Sequence, residues 1–305
     1  MEIATSTNIC AFQRGRARLP VEFSIRTCAE AGYRVLDINF CMAMNPDSPL
    51  RGPGWEDYVR SIGRLARECG VTFNQSHLPY YDVDARRGTE AGRLMETLID
   101  RSLVGTAMLG ARWAVTHPFT VRGAAGDPDA SLRANLDYYG PWVERARALG
   151  VGIALENDFE APAGQGAGRV YCTDIRELTG LCDALRDPDH AGVCYDFGHA
   201  NLAGGHHRQN LKAIGSRLRA VHVQDNHGER DEHLLPFFGA IDWEDAMTGL
   251  AESGYPGDLT FEVQEYGRYL PRDMKRLAVD MSLIVGKRLV QMFEAARGNG
   301  DITNI

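Results

Sequence analysis

The sequence predicts a single-domain α/β protein of the (β/α)8 barrel, or TIM barrel, class. Eight short apolar runs alternate with longer helical patterns along the 305 residues. Strands that are apolar on both faces belong to a parallel sheet covered on both sides, and eight is the number that closes into a barrel. The competing open, doubly wound sheet usually carries a glycine-rich fingerprint after its first strand. No such fingerprint follows Cys10.

The strands and helices follow one another in strict alternation. The predicted strands are the short apolar runs Glu2–Cys10, Arg34–Phe40, Val71–Ser76, Trp113–Thr116, Val151–Leu155, Ala191–Tyr195, Arg219–Val223 and Leu259–Phe261. The predicted helices are the amphipathic runs Pro20–Gly32, Trp55–Cys69, Thr89–Leu109, Pro128–Leu149, Asp174–Leu185, Gln209–Leu218, Asp242–Ser253 and Arg272–Arg297. Pro20 suits a first helical turn and Gly32 a helix stop, and a glycine also follows several of the other helices. With no linker between these units, we predict one domain over residues 1–298 and a flexible C-terminal tail at 299–305.

Composition narrows the class of protein. The chain is 44% hydrophobic and 24% charged, which is typical of a globular domain. Its net charge of -8 disfavours a nucleic-acid partner, because an acidic surface repels phosphate backbones. The seven cysteines are odd in number and include no C-x-x-C, which indicates free thiols in a reducing compartment. The N-terminus lacks the features of a signal peptide, and no apolar run approaches the roughly 18 residues of a spanning helix. We expect a cytoplasmic protein with no membrane association.

Polar residues recur where the predicted strands end. They are His77, His117, Glu156, Asp196, His199, His222, Asp231, His233 and Glu262. In a barrel, all of these positions lie on the C-terminal rim, where active sites are built. Glu156, Asp196, His222 and Glu262 come from four successive strands, and three carboxylates with one imidazole suit a divalent cation. His190, His206 and His207 have no strand before them, and we assign them to loops or exposed turns.

Four motifs give the chain a family resemblance. The runs Ala154–Asn157, Cys194–Asn201, His222–Asn226 with Asp231–His233, and Phe261–Glu262 resemble those of the xylose-isomerase-like barrel superfamily. This superfamily groups sugar and sugar-phosphate isomerases and epimerases, inosose dehydratases and endonuclease IV. The resemblance covers nearly the whole chain in matching order, and it is specific for the fold and the metal site rather than for the substrate.

The resemblance implies roles for individual residues. Glu156, Asp196, His222 and Glu262 would be the ligands of one divalent metal ion, with Mn²⁺ expected first and Mg²⁺, Co²⁺ or Zn²⁺ as alternatives. In the epimerase branch, the residues matching Glu156 and Glu262 also transfer the proton, and His199 matches a position that contacts substrate. We assign Glu156, Glu262 and His199 to catalysis. We assign His77, His117, Asp231 and His233 to substrate binding. These four also match zinc ligands of endonuclease IV, so a multinuclear site stays open. The run 163–166 stands later than the glycine-rich segment of that enzyme, which disfavours DNA repair.

The predicted activity is therefore that of a metal-dependent sugar, sugar-phosphate or ketose isomerase or epimerase. It would move a proton beside a carbonyl while the metal stabilises the enediolate charge. The alternatives are an inosose-type dehydratase, the barrel subunit of a C-glycoside-cleaving enzyme and, less favoured, a multi-zinc phosphodiesterase similar to endonuclease IV. Whether the chain forms a homo-oligomer or binds a small partner subunit stays open.

The loops offer candidates for contact with a small carbohydrate substrate. The aromatic residues that suit stacking on a sugar ring are Trp55, Tyr80, Tyr81, Phe119 and Phe159. The basic residues that suit a phosphate are Arg51, Arg122 and Arg169, although each also fits a solvated surface charge.

Overall fold

The computed structural model describes residues 1–13, 17–124, 127–160 and 169–298. Within these ranges, eight strands form one parallel sheet. They are β1 (Ile3–Ser6), β2 (Val35–Asn39), β3 (Thr72–His77), β4 (Trp113–Thr116), β5 (Gly152–Glu156), β6 (Ala191–Asp196), β7 (Leu218–His222) and β8 (Leu259–Phe261). The predicted tail at 299–305 and the run 163–166 lie outside the described residues.

Helices connect the strands and cover the sheet. They are α1 (Val21–Ala31), α2 (Trp55–Cys69), α3 (Val83–Arg86), α4 (Glu90–Leu109), α5 (Pro128–Ala148), α6 (Ile175–Ala184), α7 (Phe197–Leu202), α8 (His207–Ile214), α9 (Trp243–Glu252) and α10 (Lys275–Ala296). Capping explains several of these limits. Thr89 accepts a hydrogen bond from the Gly92 amide at the start of α4, and Gly110 ends that helix in the left-handed region with φ 76°.

Sheet order confirms the barrel class. The strands follow the order β7-β6-β5-β4-β3-β2-β1-β8, with every pairing parallel. The two ends of this order meet through a single bridge, Val223 to Phe261, rather than through a continuous ladder. The Val223 amide donates to the Thr260 carbonyl at 2.8 Å, and the Glu262 amide donates to the Val223 carbonyl at 3.0 Å. The barrel is thus nearly closed, and its β7–β8 seam has one bridged residue pair where the other neighbouring strands have three or more.

Several elements differ from the sequence prediction, including the predicted helix Gln209–Leu218, which runs from His207 to Ile214. The first strand ends at Ser6, because Thr7–Cys10 form a turn of 3-10 helix that the Ser6 hydroxyl caps by accepting from the Asn8 amide. Helix α7 follows β6 directly and was hidden by its length of six residues. The last helix starts at Lys275, after a short 3-10 turn at Arg272–Met274.

The barrel interior has two chemically different halves. Between β4 and β7, the side chains of Val115, Ala154, Cys194 and Ala220 form a small apolar cluster. On the opposite half, buried polar residues replace it: Asp37 pairs in register with Gln75, and the Thr260 hydroxyl donates to the Gln75 side-chain oxygen at 3.3 Å. All seven cysteines are free thiols. Among the described residues, no helix is long and apolar enough to cross a membrane.

Candidate metal and catalytic site

The four predicted ligands meet at the C-terminal end of the barrel. Glu156, Asp196 and His222 are the last residues of β5, β6 and β7, and Glu262 directly follows β8. The first three are completely buried, and Glu262 is 6% exposed. One ligand atom from each of the four lies within 4.8 Å of the others. Parallel pairing explains this convergence, because the register places Glu156 beside Cys194 and Asp196 beside His222.

The donor atoms of this cluster fit a divalent cation. Glu156 Oε2, Asp196 Oδ2 and His222 Nε2 are buried and have no hydrogen-bond partner among the described residues. Leaving such atoms unpaired costs roughly 1–3 kcal/mol each, and more when the group is charged. The glutamates face the other nitrogen of the His222 ring, since Nδ1 lies 2.8 Å from Glu156 Oε1 and 3.6 Å from Glu262 Oε2. A cation held by the carboxylate oxygens and this nitrogen would satisfy the unpartnered oxygens, and this mixed set is the kind that Mn²⁺, Mg²⁺ or Zn²⁺ accepts.

Electrostatics within the cluster point the same way. Burial alone would raise the pKa of Glu156, but His222 and His117 outweigh it and hold that pKa well below its usual value. His222 is the counterpart: burial would lower its pKa, but Cys194, Glu156 and Glu262 raise it. Burial raises the pKa of Asp196 to about 7. Three carboxyl groups share one imidazole, so a bound cation would relieve the excess negative charge.

Two histidines from the neighbouring strands flank Glu156. His77 Nε2 lies 3.5 Å and His117 Nε2 lies 3.4 Å from Glu156 Oε2. The rings of His77 and His222 stack with centroids 5.6 Å apart. The Cys41 thiol lies 2.9 Å from His77 Nδ1 on the side away from Glu156. The structure therefore places His77 and His117, two of the three predicted substrate-binding histidines, beside a predicted ligand.

The remaining predicted residues form a second row on the β6–β8 side. His233 Nε2 lies 2.8 Å from Asp231 Oδ2, and His199 Nε2 lies 3.7 Å from the same oxygen. His233 Nδ1 donates to the Glu262 carbonyl at 2.9 Å, and His199 Nδ1 donates to the Asn157 carbonyl at 2.9 Å. His233 has a positive φ of 46°, a conformation that costs energy outside glycine and is often kept at functional sites. All nine predicted residues thus lie at one end of the barrel, while their individual roles stay predictions.

Two supporting residues were missed in the sequence. Gln224 Nε2 donates to Asp196 Oδ1 at 3.2 Å and to Asp231 Oδ1 at 2.7 Å, so it links the predicted ligands to the second row. Asn157 exchanges two hydrogen bonds with the Asp196 backbone, at 2.8 and 3.0 Å. A signal existed for Gln224, because it stands two residues after His222 and a strand places such residues on the same face. A glycine at 198 makes room for it: a Cβ there would lie 2.1 Å from the Gln224 side chain.

One histidine assignment was wrong. His207 is buried rather than exposed, and it is the first residue of α8. Its Nδ1 lies 3.0 Å from the Tyr195 hydroxyl, behind β6 and away from the cluster. Burial lowers the pKa of His207 to about 4. The sequence offered no strand before it, but the period of the short helix that it starts would have placed it beside the core.

A cavity of about 450 Å³ opens above the cluster. Of the four predicted ligands, Glu262 contributes to its lining, together with the five predicted residues His77, His117, His199, Asp231 and His233. The aromatic candidates Tyr80, Tyr81, Phe119 and Phe159 also line it, whereas Trp55 does not. None of the three candidate arginines lines it. Arg122 pairs with Asp82 at 2.7 Å, Arg169 pairs with Glu177, and Arg51 donates to the Met44 carbonyl at 3.4 Å.

Comparison with known proteins settles the family. The profile of the xylose isomerase-like TIM barrel matches residues 25–280. The chain belongs to this family. An uncharacterized protein of Sinorhizobium fredii, y4fM, is 28% identical over 249 residues, which are 79% of this chain and 70% of that protein. The fructoselysine 3-epimerase of Shigella flexneri is 23% identical over 285 residues, which are 88% of this chain and 94% of the enzyme.

Two solved structures show the same fold. A D-tagatose 3-epimerase-like protein superposes with a TM-score of 0.74 at 20% identity, covering 97% of this chain and 99% of that one. The IolI protein with a bound zinc atom superposes with a TM-score of 0.71 at 15% identity, covering 97% and 99% of the two chains.

Proposed function

We propose that this family member is a divalent-metal-dependent isomerase or epimerase of sugars, sugar phosphates or ketoses. Sugar epimerases among the relatives and structural neighbours support an enzyme of this type. The observation that carries the proposal is the buried cluster of Glu156, Asp196, His222 and Glu262, whose ligand atoms lie within 4.8 Å of one another. It lies at the base of a cavity large enough for a small ligand.

The two glutamates would move the proton. Glu156 Oε1 lies 2.8 Å and Glu262 Oε2 lies 3.6 Å from the same nitrogen, His222 Nδ1, so both carboxylates border one small space. They come from strands three positions apart in the barrel. This arrangement suits removal of a proton from one face of a carbon and its return to the other, which is epimerisation. A divalent ion bound to the cluster would supply Lewis-acid stabilisation of the charge that develops on the neighbouring carbonyl oxygen.

The second row would orient the substrate. His233 and His199 each donate one ring nitrogen to a backbone carbonyl, which fixes the orientation of the ring and directs the other nitrogen towards Asp231. Asp231 is in turn held by Gln224. Fixed donors of this kind hold sugar hydroxyls at constant positions while the proton moves.

The test is exchange of a substrate proton with solvent. The metal-loaded protein, incubated with a panel of ketoses and ketose phosphates in D₂O, should incorporate deuterium at a carbon beside the carbonyl, detectable by NMR. The variants Glu156→Gln and Glu262→Gln should abolish exchange and remain folded, because the amide keeps the volume of the carboxylate. Glu244→Gln, on the exposed first turn of α9, is the matched control and should exchange at the wild-type rate. A metal-free protein with full activity would contradict the metal role.

Metal content separates this proposal from the nuclease alternative. The two candidate metal groups among the described residues share Glu156 and His222, and His199, Asp231 and His233 do not form a third. We therefore expect close to one divalent ion per chain in the purified, metal-loaded protein. A value close to three, together with cleavage of DNA at abasic sites, would favour the nuclease instead.

A further inference from the structure

The cavity above the cluster has two walls of different chemistry. One wall, the polar wall, is formed by Asn8, Asn39 and Gln264, which follow β1, end β2 and follow β8. The other, the aromatic wall, is formed by Tyr81, Phe119, Tyr138, Tyr139 and Trp142, from the loops after β3 and β4 and from α5. Both walls border the residues of the candidate site, so a single ligand would contact both.

The polar wall is suited to sugar hydroxyls. Asn39 Oδ1 and Gln264 Oε1 are buried acceptors with no hydrogen-bond partner in the part of the chain that the structure describes. Asn39 pairs in register with His77, and Gln264 follows Glu262 by two residues, so both acceptors lie next to the candidate site. A buried acceptor without a donor is costly, and a ligand hydroxyl that donates to it removes the cost.

The aromatic wall offers rings rather than hydroxyls. The Tyr139 hydroxyl donates to the His117 carbonyl at 2.5 Å, and the Tyr138 hydroxyl donates to the Tyr81 hydroxyl at 3.4 Å. The Tyr81 hydroxyl in turn donates to Glu96 at 3.3 Å. These polar atoms are already used within the protein. A sugar hydroxyl placed against this wall would lose its hydrogen bonds to water without gaining others.

The rings form one aromatic cluster, in which Tyr138 and Tyr139 are each only 4% exposed. The Tyr138 ring lies 5.7 Å from Phe119, 6.3 Å from Tyr81 and 6.5 Å from Trp142, each in an edge-to-face arrangement. Aromatic pairs favour this arrangement, and a further planar ring can join such a group. Phe119 and Trp142 are partly buried, so part of their surface stays available for contact.

A phosphate group does not match these walls. Among the described residues that line the cavity, Arg18 is the only arginine or lysine, and its side chain is exposed. The histidines His77, His199 and His233 already lie beside the carboxylates of Glu156 and Asp231. A buried phosphate site normally presents an arginine fork or several converging amide donors.

We infer that the substrate is a sugar that carries a planar aromatic substituent, with its hydroxyls on the polar wall and the substituent on the aromatic wall. This inference rests on the proposed function, because it names the substrate class of the same site. The cavity of about 450 Å³ lies in the range that takes ligands larger than a single ring, roughly 300–1,000 Å³.

Binding of unreactive glycosides tests the inference separately from catalysis. Phenyl β-D-glucopyranoside and methyl β-D-glucopyranoside share one sugar, and D-glucose 6-phosphate adds an anion instead of a ring. Titration calorimetry on the metal-loaded protein should show the phenyl glycoside binding about tenfold more tightly than the methyl glycoside. Phe119→Ala should remove this preference. Phe23→Ala, which truncates a partly buried phenylalanine of α1 outside the cavity, should retain it. Gln264→Leu should weaken both glycosides by a similar factor and so leave the preference unchanged.

The outcomes are distinct. Equal binding of the phenyl and methyl glycosides, or a preference that survives Phe119→Ala in a folded variant, overturns the inference. Tightest binding of D-glucose 6-phosphate, lost in Arg18→Gln, also overturns it. If Phe119→Ala fails to fold, Phe119→Leu serves in its place, because it keeps apolar volume and removes the ring. Because no turnover is needed, an aromatic preference without deuterium exchange would contradict the proposed reaction alone, and exchange without the preference would contradict this inference alone.

Discussion

The two halves of the barrel mouth are built differently. On the ligand side, β5 to β8 deliver carboxylates and an imidazole from the strand ends themselves, where the parallel register fixes their positions. On the side of the aromatic wall, the loops after β3 and β4 and helix α5 place aromatic rings at the cavity. Strand ends are rigid, whereas loops tolerate change. Under the proposed function, the first half of the mouth would carry the reaction and the second half would select the substrate.

The largest effect expected from a change on the ligand side is the loss of metal from Asp196→Asn. The new side chain keeps the volume and the hydrogen bond from the His199 amide, but it removes a charged donor. Changes to residues that only support ligands cost roughly 10–100-fold in metal affinity, so loss of a ligand should cost at least about 100-fold. Calorimetric titration with Mn²⁺ measures the change in metal affinity. Without metal, the variant should be no less stable than the wild type, because one buried carboxylate is removed. Unchanged Mn²⁺ affinity would exclude Asp196 as a ligand.

A smaller loss is expected from Gln224→Leu, which keeps the volume but removes the amide that joins Asp196 to Asp231. Metal affinity or turnover should fall roughly 10–100-fold, since supporting hydrogen bonds orient ligands. Asn74→Leu is the matched control: the Asn74 amide, on the third residue of β3, donates to the Thr260 hydroxyl at 3.0 Å and to Asp258 at 3.2 Å, away from the ligand cluster. An equal loss of metal affinity in both variants would indicate general destabilisation rather than a role for Gln224.

His233, beside the ligands, and His207, behind β6, differ in the direction of their pKa shifts. Carboxylates raise the pKa of His233 to about 9, whereas burial lowers that of His207 to about 4. Because the folded protein disfavours protonated His207, its contribution to stability is complete above the unfolded pKa of roughly 6.5 and is lost as the pH falls towards 4. At pH 5.5 the loss is about 1.4 kcal/mol. Denaturant unfolding of the wild type and of His207→Gln between pH 8 and pH 5.5 measures this loss. The free energy of unfolding of the variant should fall less steeply with pH. Parallel curves would refute the lowered pKa of His207.

The smallest effect is expected from a change in the aromatic wall. Tyr139→Phe removes the hydroxyl that donates to the His117 carbonyl. The free energy of unfolding should fall by about 1 kcal/mol, the usual net value of one hydrogen bond. Mn²⁺ affinity should not change, since the ring and its packing stay. A loss of metal affinity comparable to that of Gln224→Leu would show that the two halves are coupled and that the division between them is wrong.

The same division explains what the sequence predicted. The four candidate ligands could be predicted from the sequence, because each ends or directly follows an apolar run and the barrel brings such ends together. They are Glu156, Asp196, His222 and Glu262. The aromatic wall could be predicted only in part. Tyr81 and Phe119 stand in loops and were named, but Tyr138, Tyr139 and Trp142 lie in the middle of α5, where an aromatic residue looks like any core residue. Their position at the cavity depends on how α5 packs against β5, which no local pattern encodes.

The seam between β7 and β8 gives the candidate cation a mechanical consequence. His222 and Glu262 stand on opposite edges of this gap, which one bridge closes. An ion held by both residues would link β7 and β8 across the strand pair that has one bridge. We expect the amides of β8 to exchange with solvent more slowly once the ion is bound, so that loading the protein would also tighten the cylinder that carries it.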